Sequence, residues 1–593
     1  MGVKSPIAHK SRSAYTIHRL MKNADIARVF QDMSDLLELK GENKFKIRAY
    51  QRAARAIEYL PKEIEIMLEN GEDLRSIPGV GEAIAKKTIE LVNTGKLGSY
   101  EDLKAQFPEG ITNLLEIPGV GPKTANKLST ELGIQTVEEL EKAIKEGRVA
   151  QLFRMGDKTA ENILQQLQTL RRKDQRIPIG EALPVVDEVL DALRSLPGVK
   201  NLTAAGSLRR FKETVGDIDL MGTADDPEKV INAFVNLPQI RQVIAKGPTK
   251  ATVILPGSLQ ADLRMVEHDS FGSLLQYFTG SKQHNITLRT KEQKKGLSLS
   301  EYGITNLKTG KLEKFATEEA FYKRLGMQYI PPEIREDQGE IELADKGQVP
   351  KLIELSDIKG DVHVHSDWSD GQDSLQDMAE AAVELGYKFL AITDHSAGRG
   401  IANGLTEERL RQQIKEINLL NEKLGGIRIF TGTEVDIRAD GSMDLSDKLL
   451  ADLDVVVAAI HSAMNQSEEK ITQRLIGAIK NPHIDIIAHP TCRLLGEREP
   501  VAVDLEAVFQ AAAKYDKAME INAMPSRLDL KDIHIFRARD LGVKLIIGTD
   551  SHRTEHLKLM RFGIGIARRG WCRAIDILNT RPVNELLEFL RKN

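Results

Sequence analysis

Cysteine is almost missing from this 593-residue sequence: Cys492 and Cys572 are the only two, and neither belongs to a paired-spacing motif. That excludes a disulfide framework and a thiolate zinc site, and it fits a reducing cytoplasm. Long apolar runs are missing as well. No stretch approaches the roughly 20 residues a membrane-spanning helix needs, so no membrane partner is expected. The first twenty residues lack an apolar run followed by a small-residue cleavage site and read as a short basic tail carrying Lys4, Lys10, Arg12 and Arg19. Charge of one sign is not in excess either, since the net charge is −4. An average of that kind neither indicates nor excludes a nucleic-acid partner, because it hides how the charges are distributed.

What is there is length and ordinary globular composition, 41% hydrophobic and 29% charged, enough for at least three domains. Residues 1–60 hold twelve Lys or Arg against six Asp or Glu, and a second basic run occupies Lys282 to Lys295. Either could follow a phosphate backbone or be a solvated face. Histidines mark a change of text, nine of the thirteen lying after Leu355. The first third has apolar residues at helical spacing. From Leu183 short strands alternate with helices, which suggests an antiparallel sheet layered on helices. A Pro-, Glu-, Asp- and Gly-rich stretch from Pro331 to Leu355 reads as a linker to a third kind of text.

The punctuation Ile77-Pro-Gly-Val-Gly81 returns as Ile117-Pro-Gly-Val-Gly121, with a weaker third copy at Arg154-Met-Gly-Asp-Lys-Thr. Glycines at 79, 81, 119 and 121 let the turn take positive φ, and the helix that follows directs free amides outward, which suits a phosphate and reads no bases. A single copy would equally be a packing corner; two copies point to sequence-neutral DNA binding. The motif resembles the helix-hairpin-helix of repair enzymes.

Asp217 and Asp219 stand two apart on an expected strand and so share a face, and Asp262 interrupts an apolar pattern on another. Three oxygen donors suit Mg²⁺, and phosphoryl transfer uses two such ions. Just upstream, Gly206-Ser-Leu-Arg-Arg210 offers a turn, a hydroxyl and guanidinium groups to a triphosphate. With Gly216-Asp-Ile-Asp219, Asp262, Tyr277-Phe-Thr-Gly-Ser281, Asn285 and Arg289, the segment from about Lys22 to Tyr329 resembles the family X DNA polymerases. The resemblance implies that Asp217, Asp219 and Asp262 bind two Mg²⁺ ions, with Asp262 helping to activate the primer 3′-hydroxyl. It assigns Ser207, Arg210 and Gly216 to the nucleotide phosphates and Tyr277 and Phe278 to the sugar pocket, with Gly206 and Gly280 also at the nucleotide site. Asn285 and Arg289 would meet the nascent pair and template. Lys282 stands where the eukaryotic members have an acid facing the base. The first domain resembles the family's lyase domain, with Lys87 at the Schiff-base position, its amine crowded by Lys86, and Lys46 and Tyr50 at a 5′-phosphate pocket. Ala83 replaces a phosphate-contacting lysine, and Lys87 would otherwise be a DNA-backbone contact.

Beyond the linker, apolar runs end repeatedly in potential ligands: Asp361-Val-His-Val-His365, Thr393-Asp-His395, Gly432-Thr-Glu434, Ile460-His461, Ala488-His489 and Thr549-Asp-Ser-His552, with Met519-Glu-Ile-Asn522 making seven. Parallel strands with function at their C-terminal ends describe a βα barrel. His363, His365, Asp370, His395, Glu434, His461, His489, Asp550 and His552 are about twice what one zinc ion takes and imply two or three metals. The set resembles the polymerase and histidinol phosphatase (PHP) domain over residues 358–591, whose sites activate water for attack on phosphate. Mn²⁺ or Zn²⁺ suits the mixed ligands. Arg438, Arg493 and Arg527 are candidates for holding the substrate phosphate.

The fold class expected is multidomain: all-α helix-hairpin-helix domains, an α+β nucleotidyltransferase palm and a distorted (βα)7 PHP barrel. The boundaries are a tail at 1–21, a lyase-like domain at 22–100, a second hairpin domain at 101–178, the palm at 179–268, a nucleotide-selecting subdomain at 269–335, a linker at 336–355 and the barrel at 356–593. The function expected is gap filling in base excision repair, with metal-dependent 3′–5′ exonuclease and abasic-site endonuclease activity from the barrel. The partners are gapped or primed DNA and dNTPs, and the chain is expected to be a cytoplasmic, nucleoid-associated monomer. Two alternatives stay open: a phosphatase resembling histidinol phosphatase tethered to DNA, and a DNA-end scaffold with structural metals.

Overall fold

In a computed structural model, the structure describes residues 23–58, 60, 64–69, 71–77, 79–107, 114, 120, 122–151, 156, 160, 163–164, 176–398 and 402–591. The chain divides into two compact units, Met1–Arg171 and Arg172–Asn593. Among the described residues no helix is long and apolar enough to cross a membrane.

The first unit is helical. Helices α1 (Asn23–Leu39) and α2 (Lys44–Glu58) pack because Ile26, Phe30, Leu36, Ala53 and Ile57 recur at helical spacing and are fully buried. The Asn23 carboxamide accepts the buried amide of Ile64 at 2.9 Å, tying the start of α1 to the next segment. Helix α3 (Glu82–Thr94) follows the first hairpin, in which Gly79 has φ +90° and Gly81 is the N-cap. Helices α4 (Pro122–Leu132) and α5 (Val137–Lys145) follow; a Thr136–Glu139 capping box starts α5. One apolar cluster runs from Ile26 to Ile163, so the two hairpin regions share a core.

The second unit opens with α6 (Ile179–Arg194) lying on a five-stranded sheet. Its strands are β1 (Val199–Ala204), β2 (Asp217–Ala224), β3 (Gln242–Lys246), β4 (Lys250–Ile254) and β5 (Gln260–Met265), in the order β1-β2-β5-β4-β3. The antiparallel sheet expected from sequence is corrected to a mixed one, because β2 and β5 are parallel. Between them the chain crosses over through α7 (Pro227–Val235) and the β3–β4 hairpin, which reverses the direction in which β5 returns. Helices α8 (Phe271–Thr279) and α9 (Lys282–Gln293) lead to a small antiparallel sheet of β6 (Leu297–Ser300), β7 (Gly303–Asn306) and β8 (Leu312–Glu313).

The stretch 336–355, read from composition as a linker, is ordered and packed: it contains the helix Glu340–Asp345, and Ile341, Ala344, Leu352 and Ile353 are buried. Its polar residues find buried partners, as when Glu340 meets the Nδ1 of His284 at 2.7 Å. Composition sees polarity but not those partners.

Seven parallel strands then follow one another in sequence order: β9 (Gly360–Val364), β10 (Phe389–Ile392), β11 (Arg428–Asp436), β12 (Val455–Ala459), β13 (Ile486–Ile487), β14 (Ala518–Asn522) and β15 (Lys544–Gly548). A parallel bridge between Val364 and Ser551 brings the last strand back to the first, so the barrel is nearly closed. Alternate residues such as Val455, Val457 and Ala459 form one apolar cluster together with Leu586, Phe589 and Leu590 near the C-terminus, while the other parity packs on the helices. The palm and barrel share a continuous core. At their seam the ring of Phe211 meets Phe562 of α10 (Met560–Arg569) edge-on at 5.9 Å.

Candidate active sites

In the palm, the pleat of β2 buries Ile218 and Leu220 and leaves Asp217 and Asp219 half-exposed on the other face. On β5, Ala261 and Leu263 are buried and Asp262 is half-exposed, directly beside Asp219 in the parallel register. Asp262 accepts hydrogen bonds from Thr252 at 2.6 Å and Gln260 at 2.8 Å, and the Lys250 ammonium lies 3.0 Å away. Burial would raise its pKa, but the bonds from Thr252, Gln260 and Lys250 outweigh that and hold the carboxyl below its ordinary value.

The Gly206–Arg209 turn crosses close to these acids. Gly206 has φ +60°, and a Cβ there would lie 2.9 Å from the Asp219 carboxylate, so only glycine fits. Ser207 and Gly216 flank the same loop and are half-buried. Arg210, expected at the nucleotide phosphates, has its Nε 3.1 Å from Glu336 and donates also to the Thr279 carbonyl. Tyr277 and Phe278 are in edge contact at 5.4 Å, just ahead of Gly280. Asn285 donates to the Tyr277 carbonyl at 2.7 Å, and the Arg289 guanidinium lies 5.8 Å from the Tyr277 ring centre. Those four side chains therefore come together at the α8–α9 corner, with Lys282 exposed beside them.

In the helical unit, Lys87 is half-buried and its ammonium donates to Ser99. Lys86 points to Glu82 at 2.8 Å and Ala83 is exposed. Lys46 is exposed, 3.5 Å from Glu42. Tyr50 is 6% exposed and packs on Phe30 at 5.9 Å, so its ring belongs to the core. Gly119, Gly121, the basic tail and most of the third hairpin copy lie outside the described residues.

The barrel site arises from strand parity. The interior face that carries Val455, Val457 and Ala459 continues to His461, and the one carrying Ile546 continues through Gly548 to Asp550. Three sets of ligand atoms each lie within 4.8 Å of one another: His365, Asp370, His395 and His552; His363, His365 and Asp550; His395, Glu434 and His461. Among the described residues, the palm acids form no comparably close set. Glu434 is the hub, 2.7 Å from His395, 3.2 Å from His461 and 3.0 Å from His489. Burial would raise its pKa, but His395, His461 and His363 hold it well below the usual range. Burial, with His552 and His395 alongside, pushes His365 down to about 3, leaving a neutral imidazole of the kind metals bind.

Buried His363 Nε2, both His365 nitrogens and His489 Nδ1 have no hydrogen-bond partner. Orphaned donor atoms sharing one small space fit a metal cluster, because each would otherwise cost about 1–3 kcal/mol to bury.

Four orienting residues were not singled out from sequence. Glu520 accepts from His363 Nδ1 at 2.6 Å and from the His489 amide at 2.7 Å. Asn522 donates to both Glu520 and Asp550 at 3.2 Å. Asp436 sits 3.0 Å from His461 Nδ1, and buried Asp394 takes the hydroxyls of Ser366 and Ser369. Glu520 was visible as a strand-end acid, but nothing in the spacing separates a ligand from a ligand's partner. Gly548 is required here: a Cβ would lie 2.2 Å from Glu520 Oε1 and 2.6 Å from His363 Cβ.

Of the three candidate phosphate arginines, Arg527 lies 3.3 Å from Asp550 and Arg438 is exposed. Arg493 is committed elsewhere, to the carbonyls of Arg527 and Leu528 and, at 2.9 Å, to Glu213 of the palm. It is a strut between domains, not a group facing substrate.

Residues 274–336 match the DNA polymerase beta thumb family, 21–97 a helix-hairpin-helix domain, 111–169 a SAM-like helix-hairpin-helix tandem, and 361–524 the PHP domain. The DNA polymerase/3′-5′ exonuclease PolX of Bacillus subtilis (strain 168) is 41% identical over 97% of this chain and 100% of its own length. Similarity confined to a smaller part of the chain is found with a probable phosphatase of Thermoanaerobacter sp. (strain X514), 28% identical over 39% of this chain and 94% of that protein. Another, from Caldanaerobacter subterraneus subsp. tengcongensis, is 32% identical over 29% of this chain and 68% of that protein.

Proposed function

The chain belongs to the PolX family of DNA polymerase/3′-5′ exonucleases, and from that premise we propose a division of labour between its two ligand-bearing centres. Asp217, Asp219 and Asp262 carry nucleotide transfer in short gaps during base excision repair. The barrel cluster carries 3′–5′ phosphodiester hydrolysis, including cleavage at abasic sites. The observation that supports this most is the occurrence, in one chain, of two separate clusters of opposite character: three half-exposed carboxylates on neighbouring strands, and a buried set dominated by imidazoles.

The palm acids would hold two Mg²⁺ ions, and the barrel residues two or three Mn²⁺ or Zn²⁺. When bound, such cations supply Lewis-acid activation of the attacking oxygen and charge compensation at phosphorus. For synthesis, Gly206 lets the backbone lie close to Asp219, and Ser207, Arg210 and Gly216 take the nucleotide phosphates. Tyr277, Phe278 and Gly280 shape the sugar site, and Asn285 and Arg289 read the minor-groove side of the new pair. For hydrolysis, Glu520 and Asp436 fix the ring orientation of His363 and His461, and Arg527 neutralises the scissile phosphate. Gly79, Gly81, Gly119, Gly121 and Lys46 follow the DNA backbone, and Lys87 serves as the lyase amine. The chain would act on DNA as a monomer, in the cytoplasm and at the nucleoid.

The test is one-nucleotide-gap extension and single-strand digestion, each with Mg²⁺ and Mn²⁺. Asp550→Ala is expected to keep extension and lose digestion, and Asp217→Ala with Asp219→Ala the reverse. Full-rate digestion by the Asp550 variant would sink the division. The partial likeness of the chain to probable phosphatases favours a second reading, a monoester phosphatase tethered to DNA. Rapid turnover of histidinol phosphate combined with inertness toward primed DNA would replace the first reading with that one.

A further inference from the structure

The barrel sends one guanidinium into the polymerase. Arg569, at the end of α10, is 5% exposed. Its Nε and Nη2 are anchored on Asp532 of the barrel at 2.8 and 2.6 Å. Its Nη1 reaches across the seam to the main-chain carbonyl of Arg210 at 2.7 Å and to Glu336 Oε1 at 3.0 Å. That same Glu336 oxygen lies 3.1 Å from Arg210 Nε, and Lys212 Nζ is 3.9 Å away. Two guanidinium groups therefore share one buried carboxylate oxygen, one of them belonging to the loop assigned to the triphosphate. A planar guanidinium holds Asp532 with two nitrogens while the third reaches both acceptors across the seam, a span that the single nitrogen of an ammonium does not cover.

We infer that Arg569 is a positioning residue for nucleotide binding. It fixes the Gly206–Arg210 loop through the Arg210 carbonyl, and it holds Glu336 paired so that the Arg210 guanidinium can exchange that carboxylate for the nucleotide's phosphates. Without Arg569, Glu336 would be a buried carboxylate with Arg210 and Lys212 as its remaining cationic partners, and Arg210 would be bound to it more firmly. The PHP barrel would then serve synthesis in a way independent of its own hydrolytic residues. This rests on the reading that Arg210 receives the triphosphate.

The experiment measures dNTP KM and kcat on one-nucleotide-gapped DNA and digestion of single-stranded DNA, using the full-length chain. Arg569→Gln is expected to raise the dNTP KM about tenfold, with kcat changed less than about threefold and digestion unchanged. Adding Glu336→Gln should bring KM back toward the parent value, a reversal that simple loosening of the seam would not give. Should Arg569→Gln fail to fold, Glu336→Gln alone decides: a lowered KM supports the inference, and an unchanged or raised one overturns it. Arg210→Ala separates the premise from the inference. If its KM rises while Arg569→Gln leaves KM unchanged, the inference alone fails; if Arg210→Ala leaves KM unchanged, the reading of Arg210 falls and takes the inference with it.

Discussion

The palm and the barrel solve the same problem, holding cations beside a phosphate, with opposite architectures. The palm offers three half-exposed acids on adjacent strands, one of them shared with a lysine, and among the described residues no set of three ligand atoms as close as those in the barrel. The barrel encloses its candidate ligands, most of them under 6% exposed, with His363 and His461 each held by a further acid and His552 by a main-chain carbonyl. A site completed by its own substrate's oxygens needs few protein donors and room to receive them. A site that must be loaded before the substrate arrives needs many donors fixed in advance.

That contrast can be broken most forcefully at Gly548. Gly548→Val would drive a side chain into Glu520 and His363, costing about 1–3 kcal/mol of barrel stability and abolishing digestion by roughly a thousandfold or more, with gap extension retained. Loss of extension to the same degree would show that the two centres are not separately organised. Next in size, Glu520→Gln should weaken Mn²⁺ binding to the barrel about 10–100-fold by calorimetry, with no change in the Mg²⁺ dependence of extension. A smaller effect sharpens the palm side: Lys250→Met removes the ammonium that competes at Asp262. The pair is partly exposed and worth no more than about 1 kcal/mol, so the Mg²⁺ concentration for half-maximal extension should fall by up to about fivefold. A rise would mean that Lys250 supports the site and does not compete for it.

The smallest effect is a slope. Asp485 is buried at the foot of the barrel, where burial pushes its pKa up to about 7, opposed by the Val456 amide and Lys517. A carboxyl raised in the folded state contributes stability that is full below its unfolded pKa near 4 and is lost as pH climbs toward 7. Asp485→Asn should therefore flatten barrel stability against pH across that window, by at most about 1.4 kcal/mol per pH unit. Both tryptophans, Trp368 and Trp571, lie after residue 355, so denaturation followed by fluorescence reports this half of the molecule. An unchanged slope would show that Asp485 titrates as it does in the unfolded chain.

The sequence was most legible where function repeats at fixed spacing. Six apolar runs ending in His or acid, with a seventh ending in Asn522, implied seven strands and one loaded mouth, because strand parity carries a side chain from the barrel wall to its rim without tertiary knowledge. The Asp217–Asp219 pair was legible for the same reason. What spacing cannot carry is the identity of partners distant along the chain. Glu520 meets His363 across 157 residues. Arg493 looked like a phosphate ligand because it follows a histidine strand, yet it meets Glu213 across the seam. The 336–355 stretch looked like a linker because its acids are polar in composition, and only the fold supplies the His284 that satisfies Glu340. The parallel pairing of β2 with β5 was hidden too, since alternation marks a strand but not its neighbour's direction.

The seam where Phe211 meets Phe562 and Glu213 meets Arg493 has an evolutionary consequence. A lineage that shed the barrel would strand an aromatic ring and a carboxylate on newly wetted surface, and one that exchanged it for another hydrolase would have to recut both faces at once. A descendant that loses digestion but keeps synthesis is therefore expected to erode the metal ligands while sparing Phe562 and Arg493.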